Sequence, residues 1–163
     1  NRGEQSTPVK NCRCGRINPG NARSTAPSLL ILEKQHTARI LVVEDDHSIA
    51  ELIQTVLESE NHSVKLASSA ENSKKILDSD VIDLAIIDII LPGQGGMDLI
   101  LELHAKFPNL AIILTSGKID MSKSTFKVLA HQFGVLSILP KPFTVEELID
   151  TVNETLQGEK APV

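Results

Sequence analysis

The stretch Leu84-Ala-Ile-Ile-Asp88 decides the fold, because it is an apolar run without polar alternation that ends abruptly at an acid. Such a run is typical of a central parallel strand that helices cover on both faces. A turn rich in glycine and proline follows at Pro92–Gly96, before apolar residues resume at helical spacing. Asp88 is therefore predicted to lie at a strand–loop junction.

The same order, an apolar run followed by an amphipathic stretch, repeats on both sides of Asp88. It predicts strands at residues 39–44, 62–67, 83–88, 110–115 and 136–139, and helices at 47–59, 70–78, 96–106, 121–132 and 144–157. This alternation is typical of an α/β fold of five βα units around a parallel sheet.

The first and last helices have the clearest apolar faces. The predicted faces are Ile49, Leu52, Ile53, Val56 and Leu57 in the first helix, and Val145, Leu148, Ile149 and Val152 in the last. Asp46 and Thr144 are predicted to cap these two helices, and Glu147 completes a capping box with Thr144.

Composition is ordinary for one globular domain with a tail: 163 residues, of which 41% are hydrophobic and 23% charged. We predict a flexible N-terminal tail at residues 1–37, a folded domain at 38–158 and a short C-terminal tail at 159–163. The only cysteines are Cys12 and Cys14, which excludes a fold built on disulfides. They could form half of a metal site, but an inert tail is the favoured interpretation.

Charge is distributed unevenly around a net value of −5. Residues 1–28 hold five basic residues and one acid, whereas the remainder holds eleven basic residues and twenty acids. An acidic surface without tryptophan or tyrosine disfavours direct nucleic-acid binding, and it is compatible with divalent cations or a basic protein partner. No apolar run approaches the length of a membrane span, so a cytoplasmic location without membrane contact is expected.

Polar groups follow four of the predicted strands. They are Glu44-Asp45-Asp46 after the first, Asp88 after the third, Thr115-Ser116 after the fourth and Lys141 after the fifth. Each has an ordinary structural explanation alone, as a helix cap, a turn residue, a loop start or a solvated lysine. Because the carboxyl ends of parallel strands lie at one edge of the sheet, their joint occurrence predicts a common site.

Over residues 39–157 this pattern resembles the receiver domains of two-component response regulators. In that family an acidic pair ends the first strand, the phosphoacceptor aspartate ends the third, a Thr or Ser ends the fourth, and a Lys-Pro turn follows the fifth. The resemblance implies a flavodoxin-like, doubly wound sheet of strand order 2-1-3-4-5 and a cis peptide bond before Pro142.

The resemblance also implies a role for each site residue. Asp88 would accept a phosphoryl group from a histidine kinase or a histidine phosphotransfer protein. Mg²⁺ or Mn²⁺ would be bound by Asp45, Asp88 and the backbone carbonyl of Ile90, with Glu44 acting largely through water. Lys141 and Thr115 would hold the phosphoryl oxygens.

Signalling would follow from an inward movement of the Thr115 hydroxyl. That movement would change the face formed by the fourth helix, the fifth strand and the fifth helix, where a downstream protein is expected to bind. With nothing resembling an output module after residue 158, we predict a stand-alone receiver that acts through protein contacts. It would be a phosphoacceptor signalling domain, catalysing only its own phosphorylation and dephosphorylation, and not an enzyme.

Three features depart from the family pattern. Ile138 occupies the position, three before the lysine, where many receivers have an aromatic switch residue. The segment between Thr115 and Lys141 is a few residues longer than usual, with Gly117 and Lys118 at its start. Ile90 and Gly117 cannot orient a hydrolytic water by hydrogen bonding, which predicts a long-lived aspartyl phosphate.

Two other function classes compete with a phosphorylated receiver. A phosphatase or phosphotransferase acting on small substrates would need an acid two residues after Asp88, where Ile90 stands, and is disfavoured. A binding module that works without phosphorylation is compatible with Ile138 and the longer segment, but the intact acids, Thr115 and Lys141 argue against it.

Overall fold

The structure, a computed structural model, describes residues 37–117, 128 and 131–158. Five strands and four helices of two or more turns alternate along these residues. They are β1 (Arg39–Val43), α1 (His47–Ser59), β2 (Ser63–Ala67), α2 (Ala70–Ser79), β3 (Leu84–Asp88), α3 (Gly96–Lys106), β4 (Ala111–Ser116), β5 (Val135–Pro140) and α4 (Val145–Gln157). The predicted elements are confirmed to within about a residue at most ends.

The strands form one parallel sheet in the order β2-β1-β3-β4-β5. This is the flavodoxin-like arrangement that the resemblance to receiver domains implied. All five residues of β3 are buried, because β3 lies at the centre of the sheet with helices on both faces.

The core is divided between the two faces of the sheet, and β3 contributes to both. Ala85 and Ile87 pack on the face covered by α2 and α3, whereas Leu84 and Ile86 pack on the face covered by α1 and α4. The alternation follows from the twofold side-chain period of a strand. A continuous apolar run is therefore what the central position requires.

Both predicted N-caps are confirmed. The side chain of Asp46 accepts hydrogen bonds from the backbone N–H groups of Ser48 and Ile49, at 2.9 Å and 3.2 Å. Thr144 and Glu147 form a complete capping box at the start of α4. These caps fix where each helix begins after its strand, and thereby fix the loops that carry the polar groups.

Two residues predicted on apolar helix faces are about half exposed to solvent. Leu52 in α1 is 53% exposed, and Val145 in the first turn of α4 is 46% exposed. The apolar stripe on each helix is thus wider than the strip that contacts the sheet, which Ala50, Ile53 and Leu57 occupy in α1.

Some predictions fall outside the described residues. These are the tails with Cys12 and Cys14, Lys118, and most of the predicted helix at 121–132, of which Val128, His131 and Gln132 are described and helical. None of the helices in the described part of the chain is long and apolar enough to cross a membrane.

Candidate functional site

The predicted polar residues meet at the carboxyl edge of the sheet. Glu44 directly follows β1, and its N–H donates to the carbonyl of Ala67 at the end of β2, at 3.0 Å. Asp88 ends β3, where it lies opposite Thr115 of β4 in the strand register. Lys141 directly follows β5. Four strands thus position one side chain each at the same edge.

Lys141 joins two of the acids. Its Nζ donates to Oε2 of Glu44 at 2.6 Å and to Oδ2 of Asp88 at 2.5 Å. The side chains of Glu44, Asp88 and Lys141 are only 3%, 10% and 16% exposed. Because β4 separates β5 from β3, the lysine side chain reaches past the end of one strand to contact the next two.

The backbone around Lys141 is held on both sides. Its N–H donates to the carbonyl of Ser116 at 2.8 Å, and the peptide bond from Lys141 to Pro142 is cis, as the resemblance implied. Gly117 lies beside it, since a Cβ at Gly117 would be 3.5 Å from Cβ of Lys141. The direction of the lysine side chain is therefore set by the end of β4.

Both carboxylate oxygens of Asp88 have a donor. Lys141 contacts Oδ2, and the N–H of Ile90 donates to Oδ1 at 2.9 Å. The loop then returns to α3, where the N–H of Gly96 donates to the carbonyl of Ile89 at 3.0 Å. The orientation of the carboxylate is fixed by its own loop and by the lysine.

Gly96 lies against the backbone of Asp88. A Cβ at Gly96 would be 2.1 Å from the carbonyl oxygen of Asp88 and 2.7 Å from Cα of Ile89, far closer than any side chain can approach. The sequence predicted this glycine only as part of a turn. Its absent side chain lets the start of α3 pack directly on the end of β3.

The acids form a group suited to a hard cation. Glu44, Asp45 and Asp88 can each offer one carboxylate oxygen, and these oxygens lie within 4.8 Å of one another. Asp45 is exposed, so the group is open to solvent on one side. Three carboxylates and one ammonium leave a formal charge of −2. Oxygen ligands and this surplus charge fit Mg²⁺ or Mn²⁺.

The acid and base of the buried pair both have raised pKa values. Burial raises the pKa of Glu44 despite its hydrogen bond from Lys141, and the charge of Asp88 raises it further. Burial alone would lower the pKa of Lys141, but its hydrogen bonds to Asp88 and Glu44 outweigh that effect and raise it. The ammonium of Lys141 has two carboxylates to stabilise its charge. The carboxylate of Glu44 must share its one cation with Asp88, so its charge is stabilised less.

The predicted switch residues lie just beneath the site. Thr115 is buried at the end of β4, and Ile138 of β5 is partly buried and packs against the core. Ser116 is buried too, and its hydroxyl has no hydrogen-bond partner among the residues described. Ile90, on the other side of Asp88, is 45% exposed.

Sequence reasoning missed two contacts of the site. It assigned Glu44 to a metal through water, whereas Glu44 also pairs directly with Lys141. It also missed the contact of Gly96 with the backbone of Asp88. The order of polar residues at strand ends indicates which residues converge, but side-chain reach and loop path decide which of them touch.

Comparison with known proteins supplies the context for this geometry. Residues 40–153 match the family described as "Response regulator receiver domain". The regulatory protein VanR of Enterococcus faecium is 34% identical over 122 residues, which cover 75% of this chain and 51% of VanR. The transcriptional regulatory protein CpxR of Escherichia coli is 31% identical over 119 residues, which cover 73% and 49%. The chain thus spans about half the length of these relatives.

Solved structures of receiver domains have the same fold as this chain. A response regulator receiver domain protein from Clostridium thermocellum superposes with a TM-score of 0.67 at 30% identity, covering 76% of this chain and 97% of that one. A CheY-like receiver domain protein from Methanospirillum hungatei superposes with a TM-score of 0.69 at 26% identity, covering 76% and 96%.

Proposed function

The chain belongs to the response regulator receiver domains of two-component systems, and from that premise we propose that Asp88 accepts a phosphoryl group from a phosphohistidine. Receiver domains receive phosphoryl groups from histidine kinases and generally bind Mg²⁺ in an acidic pocket. The observation that carries the proposal is the contact of Lys141 with Asp88 inside a cluster of three acids.

The reaction requires a carboxylate that is correctly oriented before the donor arrives. An oxygen of Asp88 attacks the phosphorus, and a P–O bond forms as the P–N bond of the phosphohistidine breaks. The electron pair of that bond stays with the imidazole, which is released. Asp88 is a weak nucleophile, so an already activated donor and fixed geometry must supply the rate. The hydrogen bonds from Ile90 and Lys141 supply the orientation.

Lys141 acts at two stages of this scheme. Before transfer it holds Oδ2 of Asp88, and afterwards its ammonium neutralises an oxygen of the phosphoryl group. Thr115, opposite Asp88 in the register, donates its hydroxyl to another phosphoryl oxygen. Burial lowers the pKa of Lys141, but its hydrogen bonds to Asp88 and Glu44 outweigh that effect and raise it, so Lys141 is cationic before transfer.

The acids hold the cation that transfer requires. Asp45, Asp88 and the backbone carbonyl of Ile90 are its proposed direct ligands, with Glu44 acting largely through water. Glu44 is also paired with Lys141, so it links the cation site to the lysine. Bound Mg²⁺ would neutralise the negative charge of the transferring group.

Signal output belongs to the same proposal. Movement of Thr115 towards the phosphoryl group would shift the end of β4, where the preceding residue Leu114 lies opposite Ile138 in the strand register, and would change the surface of β5 and α4. Leu136 in β5 and Val145 in α4 are exposed apolar residues on these elements, which supports a protein partner there.

The domain boundaries at residues 38 and 158 and the stand-alone state remain predictions, since the relatives VanR and CpxR are about twice as long as the matched stretch.

Intact-mass measurement after incubation with phosphoramidate and Mg²⁺ tests the proposal. We expect one phosphoryl adduct on the wild type, none on Asp88→Asn, and none with EDTA. Asp83→Asn is the matched control, because Asp83 lies at the opposite end of β3 and should leave the adduct unchanged.

An adduct that persists in Asp88→Asn would contradict the assignment of the acceptor. A folded wild type that takes up no phosphoryl group would favour the binding module that works without phosphorylation, a function that the aliphatic Ile138 permits.

A further inference from the structure

The loop between β3 and α3 is anchored in the core by Ile89 and Leu91, and becomes rich in glycine after Pro92. It contains Gly93, with a φ of +80°, and Gly95, which caps α3 without a side-chain hydrogen bond. Glycine allows many backbone conformations, so the second half of the loop needs contacts from elsewhere to adopt one. This loop also carries Ile90, whose N–H holds Asp88.

Gln94 supplies such contacts from the end of the loop, directly before the N-cap Gly95. Its Oε1 accepts a hydrogen bond from Nζ of Lys74 in α2 at 2.8 Å, and its Nε2 donates to Oε1 of Glu102 in α3 at 3.0 Å. Lys74 and Glu102 also form an ion pair with each other. The three side chains therefore close a triangle that ties the loop to both neighbouring helices.

The charges of this triangle support the contact. The hydrogen bonds from Lys74 and Gln94 lower the pKa of Glu102, so it accepts as a carboxylate at neutral pH. Glu102 and Lys74 remain partly exposed, with side-chain exposures of 54% and 35%. Exposed contacts of this kind add little to global stability. Their effect should be local to the loop.

We propose that Gln94 is a positioning residue, which fastens the loop between α2 and α3 so that Ile90 and Asp88 are pre-organised to bind a divalent cation. This rests on the proposed function of the acidic cluster. Fixing a ligand-bearing loop in its bound conformation favours binding, because less conformational entropy is then lost on binding.

The molecule contains a matched control for this effect. Lys106 of α3 and Asp78 of α2 form a second ion pair between the same two helices, at 2.5 Å. This pair lies at the opposite ends of the helices, far along the chain from the loop. Asp78→Ala should weaken the contact between the helices without releasing the loop.

The test measures Mn²⁺ binding in unphosphorylated full-length protein by electron paramagnetic resonance, for the wild type, Gln94→Met and Asp78→Ala. Methionine keeps the length of glutamine but cannot make the hydrogen bonds. We expect Gln94→Met to weaken Mn²⁺ binding by roughly three- to tenfold, with an unchanged thermal midpoint. Asp78→Ala should bind like the wild type.

A second readout needs no metal. Hydrogen–deuterium exchange in the metal-free protein should be faster at the amides of Ile90 and Gly96 in Gln94→Met than in Asp78→Ala. A purely structural role would not change exchange and Mn²⁺ binding together at constant thermal stability.

The failure of this inference and that of the proposed function are distinguishable. If the wild type binds Mn²⁺ and Gln94→Met binds it equally well, the positioning role is overturned and the acidic cluster keeps its function. If the wild type binds no Mn²⁺, the cation site itself is overturned, and the positioning role with it.

Discussion

At the carboxyl end of the sheet a cluster of three acids contains a single lysine, whereas at the amino end each of three acids has a cation of its own. The shared cation is Lys141, in contact with Glu44 and Asp88, and Asp45 lies beside them. The pairs at the amino end are Arg39–Asp83, Lys65–Asp80 and Lys106–Asp78. All three of these pairs are substantially exposed, whereas Glu44, Asp88 and Lys141 are largely buried.

The pKa shifts follow this difference. At the amino end, hydrogen bonds from Arg39 lower the pKa of Asp83, and a hydrogen bond from Lys65 lowers that of Asp80. At the carboxyl end, burial raises the pKa of Glu44. The amino end thus has balanced charges that favour the folded state. The carboxyl end holds an unfavourable negative surplus, as expected where a cation and a phosphoryl group are to bind.

The largest expected effect is on the backbone of the carboxyl end. Gly96→Ala would place a methyl group 2.1 Å from the carbonyl oxygen of Asp88, so the start of α3 must move. We expect a loss of about 3 kcal/mol in the free energy of unfolding, measured by chemical denaturation, and slower phosphorylation. Gly95→Ala is the control, because its nearest neighbour would be Oδ2 of Asp98 at 3.9 Å. Equal stability of the two variants would contradict the close packing.

The next largest effect on stability comes from removing a lysine that two buried acids share, compared with one that pairs with a single exposed acid. Lys141→Met leaves two buried carboxylates without a cation, and we expect it to reduce the free energy of unfolding by about 2–3 kcal/mol at neutral pH. Lys65→Met removes a partner from one exposed acid, Asp80, and should have only a small effect. Urea denaturation of both variants measures the difference. Similar losses would mean that the shared lysine is no more important to stability than an exposed one.

A smaller effect is the pH dependence of stability, which should have opposite signs at the two ends of the sheet. Because the folded pKa of Glu44 is raised, the stability it contributes is fully present below its unfolded value of about 4.5 and is lost as pH rises through the folded pKa. The folded pKa of Asp83 is lowered, so its contribution is present above its unfolded value and is lost as pH falls through the folded pKa.

Free energies of unfolding across the acidic range test these signs. The stability of the wild type relative to Glu44→Gln should fall as pH rises, and its stability relative to Asp83→Asn should rise. If both stability differences changed in the same direction with pH, the two ends of the sheet would not differ in the way that the pKa shifts indicate.

The sequence predicted the carboxyl end far better than the amino end. Strand boundaries follow from side-chain periodicity, and the acids, Thr115 and Lys141 stand at strand ends that a parallel sheet must bring together. The pairs at the amino end were not predicted, because they join residues of strands, helix ends and loops whose relative positions have no local sequence signal.

Some features of the carboxyl end also required the structure. The contact between Glu44 and Lys141 depends on a side chain that passes the end of β4, and the packing of Gly96 depends on the path of a whole loop. The exposure of Leu52 and Val145 likewise depends on how much of each helix the sheet covers. Periodicity marks an apolar face but does not measure the width of its contact.

Calorimetric titration of Mg²⁺ into the wild type, Asp45→Asn and Asp83→Asn tests most directly whether the surplus charge at the carboxyl end forms a cation site. We predict one ion per chain for the wild type, binding at least about tenfold weaker in Asp45→Asn, and unchanged binding in Asp83→Asn. Asp45 and Asp83 are both aspartates near strand ends, so only their position in the sheet separates the two variants. Equal weakening in both variants, or no uptake of Mg²⁺ by the wild type, would contradict the account.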